Sequence, residues 1–361
     1  MNVNPTLQPS RPASLHPGTN GKTPFSVLLD RLLDDQPLRE TDAERLMDDI
    51  LDGALGPERL AAFITALRAR PPQADGLAGM ALSLRRHARP VERAPGLLLD
   101  TCGTGAARLK TFNASTSTAF VVAACGVPVA KHGNRSVTRP SGSSDLLESA
   151  GARLDLDPAQ AGALLARLGI VVLHAPTHHP SLRHAADVRK ALGVRTVFNL
   201  LGPLCNPAAP THQVLGVAEP RLLRPMADAL VRLGCDEAYV LHGEPGFDDA
   251  SPAGLVHTLR VHQGKVGPPR VVTPEEVGIA PCHPDALAPV GKDEAPALAR
   301  AVLDGRAGPR SDMVAFNAAF ALHLAGRSAT LADGVRDARA AMDSGRPRAL
   351  FDAYVAATRG A

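Results

Sequence analysis

The sequence predicts an α/β fold, with a small N-terminal helical domain and a large α/β domain built on a mostly parallel sheet. Between residues 25 and 90, apolar residues recur at helical spacing and strand-like alternation is scarce. After residue 96, short apolar runs alternate with helical stretches, which is typical of a parallel sheet covered on both faces. A length of 361 residues accommodates one large and one small domain. We therefore expect domains at 25–90 and 91–361.

Residues 1–24 differ in composition from the rest of the chain. They contain five prolines and lack the apolar core of a signal peptide. We expect a flexible tail and not an export signal, and a role in binding a partner is the alternative.

The helical segment is expected to form four short helices. Thr41 and Glu44 have the spacing of a capping box, in which a hydroxyl and a carboxylate satisfy free amides at a helix start. Pro57 suits the first turn of another helix. One apolar helical stripe consists of Leu60, Phe63, Ile64 and Leu67.

The α/β segment begins with a strand, a turn, a helix and a second strand. The first strand is expected at Leu97–Asp100, and Thr101–Gly105 is expected to be a turn. A helix over 115–124 would end at Gly126, and the second strand would occupy 127–131.

The same alternation continues along the chain. Further strands are expected at 170–173, 214–217 and 238–241, with a helix over 221–233. Residues 263–267 are typical of a hairpin turn. Roughly the last sixty residues have the pattern of helices that close the domain.

Composition excludes several classes of function. The net charge is +3 without a basic run, so nucleic acid is not expected as a partner. The longest apolar run, residues 119–130, contains Gly126 and Pro128 and is too short to span a bilayer, so no membrane association is expected. The five cysteines form no CxxC pair, which favours a reducing cytoplasm over a disulfide framework or a zinc site.

Small and polar residues follow the first predicted strand. In Gly103-Thr104-Gly105, glycines would let backbone amides approach an anion near a helix start; a plain tight turn is the alternative. Asn113, Ser115 and Thr116 stand at the mouth of the next helix. They suit either helix capping or the binding of phosphate oxygens or a metal, and one residue can do both.

A second polar block, Lys131–Arg135, follows the next strand. Ligands in such folds bind at the carboxyl edge of the sheet. Lys131 can neutralise phosphate, while His132 and Asn134 can hydrogen-bond a bound acceptor; a surface pair is the alternative. The loop 141–145 leads into a helix and offers further amides to an anion.

Three later segments carry titratable groups. The stretch with His178, His179 and His184 resembles a metal site, but no carboxylate or cysteine cluster adjoins it, so zinc is not favoured.

Arg189 and Arg195 suit recognition of a carboxylate through paired hydrogen bonds, with a surface salt bridge as the alternative. Asp248 and Asp249 follow another strand and suit magnesium, whose preferred ligands are oxygens. A solvated acidic turn is the alternative for this pair.

Three blocks in this order resemble one family, the anthranilate phosphoribosyltransferases, which join anthranilate to phosphoribosyl pyrophosphate in tryptophan synthesis. The blocks are 101–105, 131–137 and 188–204, and the likeness runs from about Phe25 to the carboxyl end. It implies a fold of the nucleoside phosphorylase and phosphoribosyltransferase class, in which a segment near 181–212 joins the helical domain. It also implies a homodimer formed by the helical domains, with the site in the cleft between the two domains of each chain.

The resemblance also implies roles for individual residues. Lys131 would neutralise the leaving group, and magnesium would be held by Ser115, Asp248 and Asp249. The donor would contact Gly103, Thr104, Gly105, Thr111, Asn113, Ser115, Thr116, Lys131 and Ser143. The acceptor would contact Gly103, His132, Asn134, His178 and Arg189.

The chain departs from the family pattern at three points. The family has Gly-Thr-Gly-Gly-Asp, but here Gly105 is followed by Ala106 and Ala107. A methyl group at Ala106 restricts a loop that needs unusual backbone angles. The family pair Asp-Glu is Asp248-Asp249 here, and a position often occupied by tyrosine is His178.

The implied reaction passes through an oxocarbenium-like ribose, with no strong general base required because the anthranilate amine is a weak base. No residue is identified as such a base. One alternative is a related phosphoribosyltransferase with a different aromatic acceptor. A pyrimidine nucleoside phosphorylase would carry Lys-His-Ser-Thr-Gly-Gly, which Lys131–Asn134 does not match. Another alternative is a non-catalytic anthranilate-binding paralogue, which the changes at Ala106 and Ala107 suggest.

Overall fold

The computed structural model describes residues 23–105, 107–136 and 140–360. The predicted tail thus lies outside the described residues except for Thr23 and Pro24. Four helices open the fold, as predicted for this segment: α1 Phe25–Leu33, α2 Glu40–Leu51, α3 Pro57–Arg68 and α4 Ala74–Arg86. Within the described ranges, no helix combines the length and the apolar character needed to cross a membrane.

The start of α2 differs from the predicted capping box. The helix begins at Glu40, one residue before Thr41, and no side chain caps it. The first turn is fixed instead by Asp42, which is 3% exposed and accepts a hydrogen bond from Arg39 Nε at 2.7 Å. The capping box at Thr41 and Glu44 is therefore wrong, because the buried Asp42 carboxylate, its ion pair with Arg39 and the acidic first turn take over the role of the hydroxyl.

One sheet of eight strands forms the centre of the described chain, in the order β3-β2-β1-β4-β5-β6-β7 with β8 beside β6. The first five strands are parallel to their neighbours, while β6 runs antiparallel to β5. The mostly parallel sheet is confirmed. The strands are β1 Leu99–Gly103, β2 Val129–Gly133, β3 Ile170–His174, β4 His212–Gly216, β5 Glu237–Gly243, β6 Val256–His262, β7 Lys265–Val266 and β8 Arg270–Val272.

The first two strands end later than the sequence indicated. Thr101 was expected in a turn, yet it is 2% exposed and belongs to β1. Its hydroxyl donates to the carbonyl of Ser115 at 3.0 Å, so a polar side chain continues the strand without an unsatisfied group. The predicted turn begins in fact after Gly103.

Helices cover both faces of the sheet. One core lies under α5, α13 and α15, where Phe120 meets the rings of Phe351 and Tyr354 edge to face at 5.1 and 5.6 Å. The remaining helices are α5 Ala114–Ala124, α6 Ser143–Ser149, α7 Pro158–Leu168, α8 Ala175–His178, α9 Arg183–Leu192, α10 Phe198–Leu201, α11 Leu223–Arg232, α12 Ala295–Leu303, α13 Pro309–Leu324, α14 Leu331–Asp343 and α15 Arg346–Arg359.

A second core joins the opposite face of the sheet to α1–α4. It includes α11 and part of the segment after β3, with Ala185, Phe198 and Leu204 buried in it. Residues 181–206 thus pack between the four N-terminal helices and the strand ends. The domain boundaries at residues 25, 90 and 181–212 stay a prediction.

Candidate active site

A cavity of about 290 Å³ opens at the carboxyl ends of the parallel strands. Its walls come from the strand ends on one side and from the segment after β3 on the other. Sequence prediction singled out most of the polar residues in this wall. The predicted residues that line it are Gly103, Thr104, Gly105, Asn113, Ser115, Thr116, Lys131, His132, Asn134, Ser143, Arg189, Arg195, Asp248 and Asp249.

Glycines let the acidic loop close over the strand ends. A Cβ at Gly216 would lie 1.7 Å from the carbonyl oxygen of Asp248, and one at Gly243 would lie 2.4 Å from that of Asp249. A Cβ at Gly103 would be 3.0 Å from the Asp248 carboxylate. Only residues without a side chain permit this approach, which brings both carboxylates into the cavity wall.

The glycine turn after β1 is fastened to the acidic loop. The amide of Gly105 donates to Asp248 Oδ2 at 2.8 Å, and that of Thr104 donates to the carbonyl of Gly216 at 2.9 Å. Gly105 has φ of +66°, which favours glycine. The hydroxyl of Thr104 is buried and has no hydrogen-bond partner among the described residues. This end of the cavity therefore holds an unused donor beside carboxylates.

Lys131 supplies a buried positive charge at the same end. It is 3% exposed, and its ammonium donates to the carbonyl of Thr101 and to Ser115 Oγ, the latter at 3.3 Å. Ser115 and Thr116 belong to the first turn of α5, where free amides and the helix dipole attract an anion. Asn113 precedes the helix without capping it and donates instead to the carbonyl of Ser141 at 3.3 Å.

His132 lies further along the cavity, held by backbone contacts. Its amide donates to Asp100 Oδ1 at 3.2 Å, and its Nδ1 lies 3.0 Å from the carbonyl oxygen of Gly202. Burial lowers the pKa of His132 to about 3, so the ring is neutral at physiological pH. Since a carbonyl can only accept, Nδ1 carries the proton, and the buried Nε2 keeps a free lone pair with no hydrogen-bond partner among the described residues.

Sequence reasoning missed the network that positions His132. The amide of Asn206 donates to Asp100 Oδ2 at 2.9 Å and to the carbonyl of Ala130 at 2.7 Å. Gln213 donates to the carbonyl of Pro203 at 2.6 Å. All of these side chains are buried, and together they bind the 202–206 turn to β1, β2 and β4. Their polar character within an apolar strand pattern was the available signal.

Two loops meet where Asn134 and Ser143 line the cavity. A Cβ at Gly133 would lie 2.2 Å from Ser143 Oγ, so a larger residue there would displace the Ser143 hydroxyl. The amides of Ser136 and Gly142 both donate to Asp145 Oδ2 at 2.8 Å. The carboxylate thus ties the loop after β2 to the start of α6. Val137, the last residue of the block, lies outside the described residues.

Arg189 approaches the cavity from α9. Its guanidinium carbon lies 4.8 Å from the centre of the Phe198 ring, and burial lowers its pKa. Within residues 23–105, 107–136 and 140–360 it makes no ion pair, so its fork of donors is available to an anion. Arg195 donates through Nη2 to the carbonyl of Ala107 at 3.5 Å.

Two predicted ligand-binding residues do not line the cavity. His178 is 1% exposed, and its Nδ1 lies 3.4 Å from the carbonyl oxygen of Arg89. The adjacent His179 faces the cavity instead, because α8 ends at His178 and the chain turns there. Thr111 is also buried, with an unpartnered hydroxyl among the described residues.

The departure from the family pattern comes directly after Gly105, the last residue of the glycine turn that lines the cavity. Ala107 is fully buried, and Ala106 lies outside the described residues. Where the family has an aspartate, the chain therefore has a small apolar side chain in a closed position.

The cavity has two chemically different ends. One combines amides, hydroxyls, Lys131 and two carboxylates, which suits a phosphorylated molecule bound with a divalent cation. The other combines Arg189, Phe198 and neutral histidines, which suits a flat acid.

Comparison with known proteins identifies the family of the chain. The model of the glycosyl transferase family a/b domain matches residues 96–348, and that of the helical bundle domain matches residues 26–88. Anthranilate phosphoribosyltransferase 2 of Streptomyces coelicolor is 46% identical over 323 residues, covering 90% of this chain and 96% of the relative. The Moorella thermoacetica anthranilate phosphoribosyltransferase is 43% identical, covering 89% and 94%.

Solved structures give the same result. The crystal structure of anthranilate phosphoribosyltransferase from Thermus thermophilus is similar with a TM-score of 0.86 and 41% identity, covering 92% of this chain and 99% of that one. The Saccharomyces cerevisiae enzyme in complex with PRPP and Mg has a TM-score of 0.84 and 26% identity, covering 93% and 98%.

Proposed function

The chain belongs to the anthranilate phosphoribosyltransferase family, and on that premise we propose that it transfers the phosphoribosyl group of phosphoribosyl pyrophosphate to the amine of anthranilate. The products are N-(5-phosphoribosyl)anthranilate and pyrophosphate, and the step belongs to tryptophan biosynthesis. The observation that carries the proposal is the single cavity with a polyanion-binding end and an aromatic-acid end. The two substrates have these two chemistries.

The donor binds at the strand ends. Backbone amides of the first turn of α5 bind its phosphates, with the hydroxyls of Ser115, Thr116 and Thr104 around them. The amides of Thr104 and Gly105 do not take part, because they already donate to Gly216 and Asp248. Lys131 neutralises the pyrophosphate as it leaves. Asn113 and Ser143 complete this end. Thr111 does not line the cavity.

Magnesium fits the donor end by its ligand chemistry. Asp248 and Asp249 are 3% and 6% exposed, and both line the cavity together with Ser115. Buried carboxylate and hydroxyl oxygens match the oxygen preference of this ion. When bound, the ion neutralises charge on the pyrophosphate. These three residues would hold it.

The acceptor binds at the opposite end. Arg189 binds the anthranilate carboxylate, while Phe198 already holds the guanidinium plane in place. His132 and Asn134 lie along the path between the two substrates, with Gly103 beneath. His179 replaces His178 as the second histidine of this wall.

The reaction follows from positioning and charge. The bond from ribose C1 to the pyrophosphate oxygen breaks as positive charge develops on the ring, and the amine nitrogen attacks C1. The new ammonium is acidic and loses its proton to solvent. Neutral His132 orients the amine and accepts a hydrogen bond through Nε2. No strong base is required.

The oligomeric state and location belong to the same proposal. We propose a homodimer through the helical domain, supported by Leu33 on α1, which is 58% exposed. Sedimentation equilibrium would show twice the chain mass, and Leu33→Glu would lower it. A cytoplasmic location is supported by the five free cysteines.

A fluorescence assay of anthranilate consumption tests the proposal. With phosphoribosyl pyrophosphate and Mg²⁺, the protein should consume anthranilate and release pyrophosphate in equal amounts. Asp248→Asn should raise the Mg²⁺ requirement by about tenfold or more, since it removes a charge but keeps an oxygen for the Gly105 amide. Asp285→Asn, on a side chain 92% exposed, is the matched control.

The alternatives give different results in the same assay. Turnover with other aromatic acceptors only would support a related transferase. Anthranilate binding without turnover would support a non-catalytic paralogue, and either result would overturn the proposal.

A further inference from the structure

Three side chains from separate segments meet at the acceptor end of the cavity. One ligand atom from each of His132, His179 and Cys205 lies within 4.8 Å of the other two. All three residues line the cavity, and they are 7%, 3% and 2% exposed. The centres of the two imidazole rings are 5.1 Å apart. The proposed mechanism uses only one of these groups.

Both histidines present an unsatisfied nitrogen. The Nε2 atoms of His132 and His179 are buried and have no hydrogen-bond partner in the part of the chain that the structure describes. An unpaired buried polar atom destabilises the fold, so two such atoms on residues that line one cavity indicate a ligand. The Gly202 carbonyl at 3.0 Å orients the His132 ring, as carbonyls do for metal-binding histidines.

Both imidazoles are ready to donate electron pairs. Burial lowers the pKa of His179 to about 4, although the carbonyls of Leu84 and Cys205 favour its protonated form. The rings are therefore neutral at pH 7, and protons do not compete for them. Burial raises the pKa of Cys205 to about 12, so its thiol must lose a proton to the buffer when sulfur binds a cation.

We propose that His132, His179 and Cys205 form a binding site for a thiophilic divalent cation such as Zn²⁺. Two imidazole nitrogens and a thiolate are ligands that select such ions over Mg²⁺. In tetrahedral zinc sites these atoms are roughly 3.3–3.7 Å apart, so side-chain shifts of about 1 Å complete the geometry. The fourth position faces the cavity and takes water.

The site has a consequence for the reaction, and this part rests on the proposed function. A cation there occupies the Nε2 atom of His132 and the space beside the acceptor ring. Zn²⁺ should therefore inhibit in competition with anthranilate and not with phosphoribosyl pyrophosphate. The donor end, with its oxygen ligands, would keep Mg²⁺.

Co²⁺ spectroscopy of the untagged protein tests the site without turnover. Excess Mg²⁺ is present to fill oxygen-ligand sites. The wild type should show a sulfur-to-cobalt charge-transfer band at one equivalent of Co²⁺, and Cys205→Ala should abolish it. Cys235→Ala is the matched control, because Cys235 is a buried thiol that does not line the cavity. A wild type without the band, or a band that survives Cys205→Ala, would overturn the proposal.

Calorimetry with Zn²⁺ in buffers of different ionisation enthalpy gives a second measure. About one proton should be released per ion by the wild type and none by Cys205→Ala. The affinity should fall by at least about tenfold in Cys205→Ala. If Cys205→Ala destabilises the 202–206 turn, Cys205→Ser replaces it, because serine nearly preserves the side-chain volume. The serine variant should fold and should bind Zn²⁺ more weakly than the wild type.

The two proposals fail separately. A cobalt band in a protein that does not consume anthranilate would leave the cation site standing and remove the proposed reaction. If the enzyme is active and Zn²⁺ inhibits Cys205→Ala as strongly as the wild type, the proposed competition between Zn²⁺ and anthranilate is contradicted.

Discussion

The two ends of the cavity are built in different ways. At the donor end, the polar groups lie within or soon after the carboxyl-terminal halves of strands or open a helix: Gly103 ends β1, Lys131 lies in β2, Asp248 lies in the loop after β5, and Ser115 is in the first turn of α5. At the acceptor end, the groups come from β2, from the turn after α8, from α9 and from the 202–206 turn. The first end uses backbone amides and fixed charges, whereas the second depends on how distant segments pack. A change at the donor end should therefore alter chemistry, and one at the acceptor end should alter selectivity.

The largest effect is expected for Lys131→Met at the donor end. Methionine preserves length but removes the buried charge beside Ser115, so the leaving pyrophosphate loses its stabilisation. We expect kcat/KM to fall by roughly 100- to 1000-fold, as for loss of a charge-stabilising group.

Initial rates at saturating anthranilate measure this effect. Lys190→Met, at an exposed lysine of α9, is the control and should remain active. A Lys131→Met enzyme with unchanged kcat would show that the charge at this end does not act on the leaving group.

Arg189→Gln tests the acceptor end and should have a smaller, selective effect. It removes the charged partner of the acceptor carboxylate, worth about 1.5–3 kcal/mol, or roughly 10- to 100-fold in KM for anthranilate. The KM for phosphoribosyl pyrophosphate should stay constant. The KM for anthranilamide, which has no carboxylate, should differ little between the wild type and Arg189→Gln.

Lys131→Met and Arg189→Gln together test the difference between the two ends, since each should change the kinetic constants for one substrate only. Equal changes in both KM values for Arg189→Gln would mean that the two ends act as one unit. Loss of discrimination between anthranilate and its amide is the more direct measurement. Arg183→Gln, on an exposed residue of the same helix, is the control.

The sequence revealed the donor end better than the acceptor end, for a physical reason. Glycines, hydroxyls and carboxylates at strand ends carry a local signal, and parallel strands bring such ends together. The sheet, the helices and the donor-end residues, among them Gly103, Lys131 and Asp249, could be predicted in this way. The end of β1 lies three residues later than predicted, because Thr101 and Cys102 are buried with satisfied polar groups.

The acceptor end depends on contacts that no local pattern records. His178 and His179 are adjacent, and only the end of α8 decides which of them faces the cavity. Cys205 meets His132 across 73 residues of chain, so the cysteine spacing could not reveal the cluster. The Asp100–Asn206 contact is likewise a product of packing.

Acid pH should reveal the two buried histidines of the acceptor end. Their folded pKa values of about 3 and 4 lie below the ordinary value of 6.5, so the unfolded chain binds more protons between pH 6.5 and 4. The free energy of unfolding should therefore fall with decreasing pH in this window, by roughly 1 kcal/mol per unit per histidine.

Urea unfolding at several pH values measures this slope. His179→Asn should make it shallower between pH 6.5 and 4, whereas His283→Asn, on a side chain 78% exposed, should leave it unchanged. Among the described residues that line the cavity, the histidines lie only at the acceptor end. A slope unaffected by His179→Asn would mean that this ring is protonated in the folded protein.

The smallest effect is expected at the loop after Gly105, where the chain departs from the family pattern. Ala106→Gly with Ala107→Asp restores the family sequence after Gly105. Ala107 is fully buried, and Arg195 donates to its carbonyl at 3.5 Å, so a carboxylate introduced there would have a cation nearby. The freed backbone and the new charge should lower the KM for phosphoribosyl pyrophosphate by about two- to tenfold, with the KM for anthranilate unchanged. The two single variants separate backbone freedom from charge, and a donor constant that moves in none of the three would show that this loop does not limit donor binding.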